Sequence, residues 1–555
     1  MTGKGSPDLI FVNGTVYTVD AARRWVQAVA VREGRIAAVG SDEQIRAAAG
    51  PSTEAIDLRG RMLLPGFQDA HVHPPGGGYE MLHCNLSDAY SVEEYERIIA
   101  GFAASHPDDE WIVGGGWSMD IFPGGNPPKD VLDRIVPDRP VYLPSRDGHS
   151  VWVNSKALEI AGVTEDTLDP DDGWIVRDAG GEPAGTLHEG ASELVNEFVP
   201  DETTQDWIDS LRVAQGFLHS LGITAWQDAI VGVETGYRTF DAYLAFAGSG
   251  ELTARVIGAL WWDRHRGIEQ VDDLLAARAR GPVGRFSATS VKIMQDGVIE
   301  NQTAGVLEPY LDGEGNATGD RGKSFIDPEE LNECVTRLDD ERFQVHFHAI
   351  GERAVREALD AIEAARRENG MNDLRHHISH IQVIHPDDIP RFRELAVVAN
   401  AQPLWAVNEG QMLHLTIPFL GPERSTWQYP FGSLVRAGAV LAMGSDWSVS
   451  SPDPIEEMHV GVNRQAPPSY LYGGESGEVF LPEERIDLPT AIAGFTINAA
   501  YVNHLDDVTG SIEVGKYADL AVVDRNLFAH PVEEIHEATV QATFVEGERV
   551  YAEGL

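Results

Sequence analysis

Short stretches of alternating apolar and polar residues lie at both ends of the chain. Near the N-terminus, DLIFVNGTVYTVD and WVQAVAVREGRIAAVG each contain two such stretches, separated by Asn13-Gly14 and by Glu33-Gly34. An Asn-Gly pair between apolar stretches is a strong hairpin signal, and Glu33-Gly34 repeats the pattern. The C-terminus carries two more stretches, ADLAVVDRN and ATVQATFVEGERVYAEG. Because chain ends often lie close together, both ends are predicted to join in one small sheet domain.

Between the two ends, short apolar runs rich in β-branched residues alternate with stretches of helical pattern. Strands that alternate with helices indicate a parallel α/β architecture, and eight repeats predict a closed (β/α)8 TIM barrel. The eight runs are 64–71, 223–229, 254–262, 288–297, 343–351, 376–384, 396–402 and 439–447.

The gap between the first and second runs is too long for one helix. Residues from 84 to about 220 are therefore expected to form a long insertion after barrel strand 1, rich in Gly, Pro and Trp, as in GGGWSMDIFPGGNPPKD. The predicted boundaries assign residues 1–62 and 506–555 to the terminal sheet domain and residues 63–505 to the barrel.

Composition and charge exclude several functional classes. The 555 residues are too many for one compact core. The net charge of −46 argues against nucleic acid and anionic membranes as partners. Two cysteines form neither a disulfide framework nor a zinc-ribbon spacing. Without a transmembrane run or a signal-peptide pattern, the expectation is a cytoplasmic protein that acts on a small-molecule substrate.

The stretch LLPGFQDAHVHPPGG, residues 63–77, ends the first predicted barrel strand with two histidines. Residues at positions i and i+2 of a strand point to the same side, so His71 and His73 project together. TIM-barrel active sites lie at the C-terminal ends of the strands, and two adjacent imidazoles there suit a divalent metal ion. The alternative is a pair of histidines that only form hydrogen bonds at a strand end.

A lysine lies within the apolar fourth run, TSVKIMQDG. Burial would lower the pKa of Lys292, and a neutral amine can capture carbon dioxide as a carbamate. The carbamate is an anion with two oxygens, so it can bridge two metal ions. The alternative is a lysine that extends to solvent or forms a structural salt bridge.

Two further strand ends supply imidazoles. In FQVHFHAIG, His348 lies nearer the C-terminal mouth than His346, so His348 is the predicted ligand. In RHHISHIQ, His380 lies at the mouth end of the sixth run. The remaining histidines, His346, His376 and His377, are expected to form hydrogen bonds behind the ligands.

The eighth run ends in AMGSDW, where an aspartate either caps the next helix or faces a metal. At a metal centre, Asp446 would be a ligand and would also accept a proton from the attacking water. The predicted metal ligands are His71, His73, Lys292, His348, His380 and Asp446.

Several longer motifs carry a resemblance to a known family. They include LPGFQDAHVHP, DGHSVWVNSKALEIAG, VKIMQDGVIENQTAG, RHHISHIQ, GSDW and GSIEVGKYADLAVVD. Over nearly the whole chain, the sequence resembles the amidohydrolase superfamily, and within it the YtcJ-like branch that includes N-substituted formamide deformylases. The resemblance implies a metal-bearing barrel, a small β-sandwich built from both termini, carboxylated Lys292 and a homodimer. The expected cofactor is one or two Zn²⁺ ions, with another divalent metal as the alternative.

The chain departs from this branch at two positions. Ser379 precedes His380 where the branch usually has Glu, and Glu352 follows HAIG where it usually has Asp. Side chains behind a metal ligand control its orientation, so the first departure is expected to change the charge near His380.

Four residues are candidates for substrate contact. They are Trp117, His149 and His188 from the insertion and Asp296 from the end of the fourth run. Aromatic side chains with a few polar groups suit a mostly apolar pocket. Alternatively, Trp117 packs the insertion against the barrel and Asp296 caps a turn.

The predicted function is metal-dependent hydrolysis of a non-peptide C–N bond, of the N-substituted amide or formamide type. Metal-activated water would attack the carbonyl, with Asp446 as general base and then general acid. The alternatives are a cyclic amidase or other hydrolase, a metal-dependent isomerase or lyase on the same barrel, and a non-catalytic scaffold.

Overall fold

A sheet of eight parallel strands forms the centre of the structure, a computed structural model that describes residues 5–232, 238–471 and 477–554. Each strand pairs with the next one along the chain, which confirms the eight predicted runs and the TIM-barrel order. The barrel strands are Phe67–Val72, Ile223–Val231, Arg255–Trp261, Phe286–Met294, Gln344–Ala349, His377–His380, Val398–Ala401 and Val440–Met443.

Backbone hydrogen bonds join the two outermost strands of this sheet. The amide of Asp446 donates to the carbonyl of His71 at 2.8 Å, and the amide of His73 donates to the carbonyl of Trp447 at 2.8 Å. These bonds lie at the C-terminal end of the first strand and just beyond that of the eighth. The first and eighth strands therefore meet at the mouth of the barrel.

Helices surround the barrel, and local sequence fixes where several of them begin. Asp327 and Asp453 each accept a hydrogen bond from backbone amides of the following turn, and each precedes a proline at the first helical position. The main helices are Thr204–Ser220, Thr239–Ser249, Val271–Arg278, Pro328–Asp340, Glu352–Asn369, Ile389–Glu394, Ile417–Arg424, Phe431–Ala437, Pro454–Asn463, Leu488–Gly494 and Ile497–Val502. None of the described helices combines the length and the apolar character that crossing a membrane requires.

The chain between the first and second barrel strands forms its own sheet of six strands, which confirms the long insertion. Its apolar core includes Trp117 and Trp152, whose ring centroids lie 6.4 Å apart. The strands are Cys84–Asn85, Ile112–Gly115, Val141–Pro144, Ser150–Val153, Gly173–Arg177 and Pro183–Glu189. The helices are Pro74–Leu82, Val92–Ser105, Lys129–Ile135, Ser155–Ala161 and Glu193–Asn196.

Both termini contribute to a pair of sheets beside the barrel, as predicted. Met62–Pro65 pairs antiparallel with Leu520–Val523, and Phe11 packs edge-on against Phe544 at a centroid distance of 5.0 Å. The first sheet contains Leu9–Val12, Ala28–Arg32, Arg35–Gly40 and Glu54–Asp57. The second contains Thr15–Tyr17, Trp25–Val26, Met62–Pro65, Leu520–Val523, Val540–Val545 and Glu548–Ala552.

The hairpin predicted at Asn13-Gly14 is wrong, whereas the one at Glu33-Gly34 is confirmed. The strands on either side of Asn13-Gly14 belong to different sheets, so this turn carries the chain from one sheet to the other. A Cβ atom on Gly14 would lie 2.3 Å from a methyl group of Leu58. A side chain at this position would therefore force the buried Leu58 side chain to move.

A buried ion pair ties the barrel to the C-terminal sheet. On the third barrel strand, the Arg255 guanidinium donates to Asp519 at 3.0 Å and to Glu546 at 2.6 Å. The Asp519 side chain is fully buried, so removing its cationic partner would leave an uncompensated charge.

We predict that Arg255→Met lowers the free energy of unfolding by about 3–5 kcal/mol because it leaves Asp519 buried without a counter-ion. Urea denaturation followed by tryptophan fluorescence measures this change. The matched control is Arg280→Met, since both Arg280 and its partner Asp241 are more than half exposed. The control is expected to change the free energy by less than about 1 kcal/mol; equal effects of both variants would contradict the prediction.

Candidate metal centre

The six predicted ligands all lie at or just beyond the C-terminal ends of barrel strands. His71 and His73, separated by one residue, lie at the end of the first strand. Asp446 follows the eighth strand. In the register of the sheet, Met294 pairs with His348, so Lys292 lies one step deeper in the barrel than His348. The barrel thus collects the predicted ligand types at its mouth.

The Asp446 carboxylate lies at the centre of the histidines. Its Oδ1 atom is 2.8 Å from Nε2 of His73 and 3.1 Å from Nε2 of His71. Its Oδ2 atom is 3.7 Å from Nδ1 of His380. The ligand atoms of His71, His73 and Asp446 all lie within 4.8 Å of one another, a spacing that a single metal ion can span.

The other imidazoles extend this group across the mouth. The ring centroid of His380 lies 4.7 Å from that of His71 and 4.4 Å from that of His348. Lys292 is 3% exposed. It lies near enough to Asp446 for each to affect the pKa of the other.

Burial sets the protonation states that a metal centre requires. It lowers the pKa of Lys292 to about 7, although the charge of Asp446 acts in the opposite direction. Burial, followed by neighbouring basic groups, also holds the pKa values of His71, His348 and His380 well below the usual range. Neutral imidazole is the form that binds a metal, and a neutral amine is the form that accepts carbon dioxide.

Burial by itself would raise the pKa of Asp446, but His73, His380 and Lys292 lower it overall. The carboxylate is therefore ionised at neutral pH. An ionised carboxylate beside neutral imidazoles is a donor set suited to a divalent cation.

Three buried atoms of this group make no hydrogen bond with acceptable angles to any described residue, even though Nε2 of His73 lies 2.8 Å from Oδ1 of Asp446. They are Nε2 of His71, Nδ1 of His380 and Oδ1 of Asp446. Buried polar atoms without partners are costly and uncommon in native proteins. A cation bound between His71, His73 and Asp446 would satisfy Nε2 of His71 and Oδ1 of Asp446, so these residues fit a metal ion.

Asp69 supports the centre, and sequence reasoning missed it. Its Oδ1 accepts from the amide of His71 at 3.0 Å, and its Oδ2 accepts from the hydroxyl of Ser445 at 2.5 Å. Burial raises the pKa of Asp69 to about 7, against the effect of these hydrogen bonds. The sequence did contain an indication of this role, because Asp69 precedes His71 by two residues and so lies on the same side of the strand.

Ser379, one of the two departures, lies behind His71. Its hydroxyl is 2.8 Å from Nδ1 of His71 and 2.8 Å from Nε2 of His346. Serine in place of the usual glutamate was expected to change the charge near His380. In the structure, its hydroxyl contacts His71 instead. Glu352, the other departure, is buried, and its carboxylate accepts from the amide of Leu307 at 3.1 Å.

Two of the four candidates for substrate contact lie inside the insertion. Trp117 is fully buried, and its indole donates to the carbonyl of Leu143 at 2.7 Å. The ring nitrogens of His188 lie 2.7 Å from the Ser150 hydroxyl and 2.7 Å from the Asn126 side-chain oxygen. Both ring nitrogens therefore already have partners in the insertion.

The other two candidates contact a predicted metal ligand. Asp296 lies 3.8 Å from Nε2 of His348, but its oxygens accept from the amides of Gly305, Ile350 and Gly351 at 2.8–3.0 Å. These bonds give Asp296 a structural role in the loop. His149 brings its ring to within 5.3 Å of the His348 ring, measured between centroids.

His149 is paired with Glu189, a residue that the sequence analysis did not single out. Nδ1 of His149 lies 2.9 Å from Oε1 of Glu189. Burial alone would lower the pKa of His149, but Glu189 and nearby carboxylates raise it to about 9. Burial would likewise raise the pKa of Glu189, but His149 lowers it to about 2. The two side chains form a buried ion pair at the edge of the metal centre.

Comparisons with known proteins identify relatives over nearly the full length of the chain. The chain is 29% identical to the putative amidohydrolase YtcJ of Bacillus subtilis, over 98% of this chain and 99% of that one. It is 26% identical to the N-substituted formamide deformylase of Arthrobacter pascens, over 97% of each chain. A crystal structure of an uncharacterized metal-dependent hydrolase from Pyrococcus furiosus is 26% identical, with a TM-score of 0.70, and the match covers 93% of this chain and 99% of that one.

The model of the amidohydrolase family matches residues 54–551, nearly the whole length of the chain. This match covers the barrel, the insertion and about half of the strands of the terminal sheets. The protein therefore belongs to the amidohydrolase family and is a hydrolase that acts on carbon–nitrogen bonds.

Proposed function

We propose that the protein hydrolyses the C–N bond of an N-substituted amide or formamide with the help of a divalent metal. The observation that carries this proposal is the Asp446 carboxylate, buried between histidines of the first and sixth strands. The full-length similarity to an N-substituted formamide deformylase supports the substrate class.

The residues that would hold the metal are those at the barrel mouth. A Zn²⁺ ion would suit His71, His73 and Asp446, and His348, His380 and carboxylated Lys292 would supply further ligands for a second ion. When bound, the metal would supply Lewis-acid polarisation of the substrate carbonyl and would acidify a water molecule.

Asp446 performs the proton transfers in this proposal. Its carboxylate is ionised, so it can accept the proton that the attacking water loses as the new C–O bond forms. The same oxygen then delivers that proton to the leaving nitrogen as the C–N bond breaks. Nitrogen leaves as a neutral amine, and the second product is the carboxylic acid, which is formic acid when the substrate is a formamide.

Elemental analysis and a substrate screen test the proposal directly. We expect one or two equivalents of zinc per chain, together with turnover of N-substituted formamides or N-acyl amines. A chelator should abolish turnover, and added Zn²⁺ should restore it. A metal-loaded protein that cleaves none of these amides would contradict the proposal.

We predict that Asp446→Asn lowers kcat by about 10²–10⁴-fold because the amide cannot accept the proton of the attacking water. Circular dichroism should show an unchanged fold, and metal analysis should be run alongside, since Asn retains one ligand oxygen. Asp387→Asn is the control because the Asp387 side chain is 87% exposed on the outer surface. Turnover retained by the Asp446 variant would refute its role as base.

We also predict that Lys292→Gln removes turnover and lowers the amount of bound metal, because glutamine cannot form a carbamate. Metal content and electron density beyond Nζ of the native lysine are the measurements. Lys156→Gln, at an exposed surface pair with Glu159, is the control and should behave as the native protein. Native metal content together with native turnover in the Lys292 variant would exclude a carbamate ligand.

A further inference from the structure

The insertion brings one histidine to the edge of the metal centre. His149 immediately precedes the insertion strand Ser150–Val153, yet its ring lies 5.3 Å from that of His348, a residue of the fifth barrel strand. The mouth of the barrel is therefore bounded by a side chain that belongs to another sheet.

Glu189 contacts this ring at Nδ1. Its Oε1 atom lies 2.9 Å from Nδ1 of His149, and it also accepts from the Thr303 hydroxyl at 2.8 Å and the Asn301 amide at 3.2 Å. Asn301 and Thr303 follow the fourth barrel strand, which carries Lys292. One carboxylate oxygen thus links the insertion to the loop beside the metal centre.

Close packing and backbone conformation both hold Glu189 at this point. A Cβ atom on Gly297 would lie 2.5 Å from Oε1 of Glu189, and the Gly297 carbonyl itself lies 3.3 Å from Nε2 of His348. Glu189 has a φ angle of +49°, which is uncommon for a residue with a side chain. Backbone strain of this kind persists only where the surroundings fix the conformation.

The Nε2 edge of the His149 ring faces away from Glu189. Nδ1 points to Glu189, whereas Nε2 makes no hydrogen bond to any residue in the part of the chain that the structure describes. The residue is 9% exposed, which distinguishes it from the fully buried histidines of the barrel interior. A polar ring edge that neighbours a metal ligand and has no protein partner is suited to a substrate.

We infer that Glu189 is a positioning residue, which turns His149 so that its Nε2 edge contacts the scissile amide of a substrate bound beside His348. This inference rests on the proposed function, because the substrate is the amide named there. It assigns the insertion a direct part in the reaction. Substrates therefore have to fit between the barrel mouth and the insertion strand that begins at Ser150.

A double-mutant cycle on the metal-loaded full-length protein tests this inference. His149→Leu removes the contact, and Glu189→Gln keeps the size of the side chain while weakening its hold on the ring. Each is expected to lower kcat/KM for the best N-substituted formamide by about 10²-fold, the effect of misplacing a reacting group by about 1 Å. Metal content should stay at the native level.

The double variant distinguishes positioning from a general structural role. If Glu189 acts only through His149, then the double variant is no less active than His149→Leu alone. Additive losses, or a Glu189→Gln variant within about 2-fold of native, would overturn the inference. His149→Gln, whose amide can occupy the position of Nε2, should recover part of the activity lost in His149→Leu.

Two further measurements complete the design. Acetohydroxamate is a small carbonyl compound that chelates divalent metals. Its affinity should fall in both single variants. Native affinity in both would also overturn the inference. Glu193→Gln, at an exposed position of the same insertion, is the control and should match the native protein. If the native protein cleaves no amide at all, the proposed function fails, whereas native turnover with unaffected variants rejects the role of Glu189 alone.

Discussion

The contact between the first and eighth barrel strands is the constraint on which the site depends. At this seam the backbone of His71 and His73 is bonded to that of Asp446 and Trp447. Asp69 adds side-chain bonds to Ser445 across the same seam. Histidines from one end of the barrel sequence can meet a carboxylate from the other end only because the sheet curves back on itself.

The interior beneath the site is polar, which is unusual for the centre of a barrel. Gln227 donates to Gln344 at 3.0 Å and lies 2.9 Å from Nε2 of His377, and all three residues are buried. A buried polar network stabilises the fold only if each polar group has a hydrogen-bond partner. These hydrogen bonds also restrict the rotamers of the side chains that make them. The His346 ring lies 3.9 Å from that of His377 and 4.7 Å from that of His71, measured between centroids. His346 therefore connects this layer to the ligand above it.

Much of the fold could be predicted from the sequence, because the spacing of apolar residues and the local composition distinguish strands from helices. The eight apolar runs, the insertion and the pairing of the two chain ends were all predicted. The Asn13-Gly14 turn was misread because a local turn signal does not reveal which sheet receives the next strand. Glycine at position 14 is explained by Leu58, a contact that only the folded structure reveals.

The candidate site was predicted to a similar extent. Histidines spaced by two at strand ends indicate a shared direction, and the structure brings ligand atoms of His71, His73 and Asp446 within 4.8 Å of one another. The partners of His188 and Trp117 lie elsewhere in the insertion, so their roles could not be inferred from spacing. Glu189 was hidden for the same reason, since its relation to Asn301 and Thr303 spans more than 100 residues.

The antiparallel pairing of Met62–Pro65 with Leu520–Val523 has a consequence for biosynthesis. The ribosome completes the first of these strands more than 450 residues before the second. Until then, one edge of Met62–Pro65 is unpaired while the barrel strand that follows it is already being assembled. Unpaired edges of apolar strands attract other chains, so the nascent protein exposes a site for misassociation during this interval.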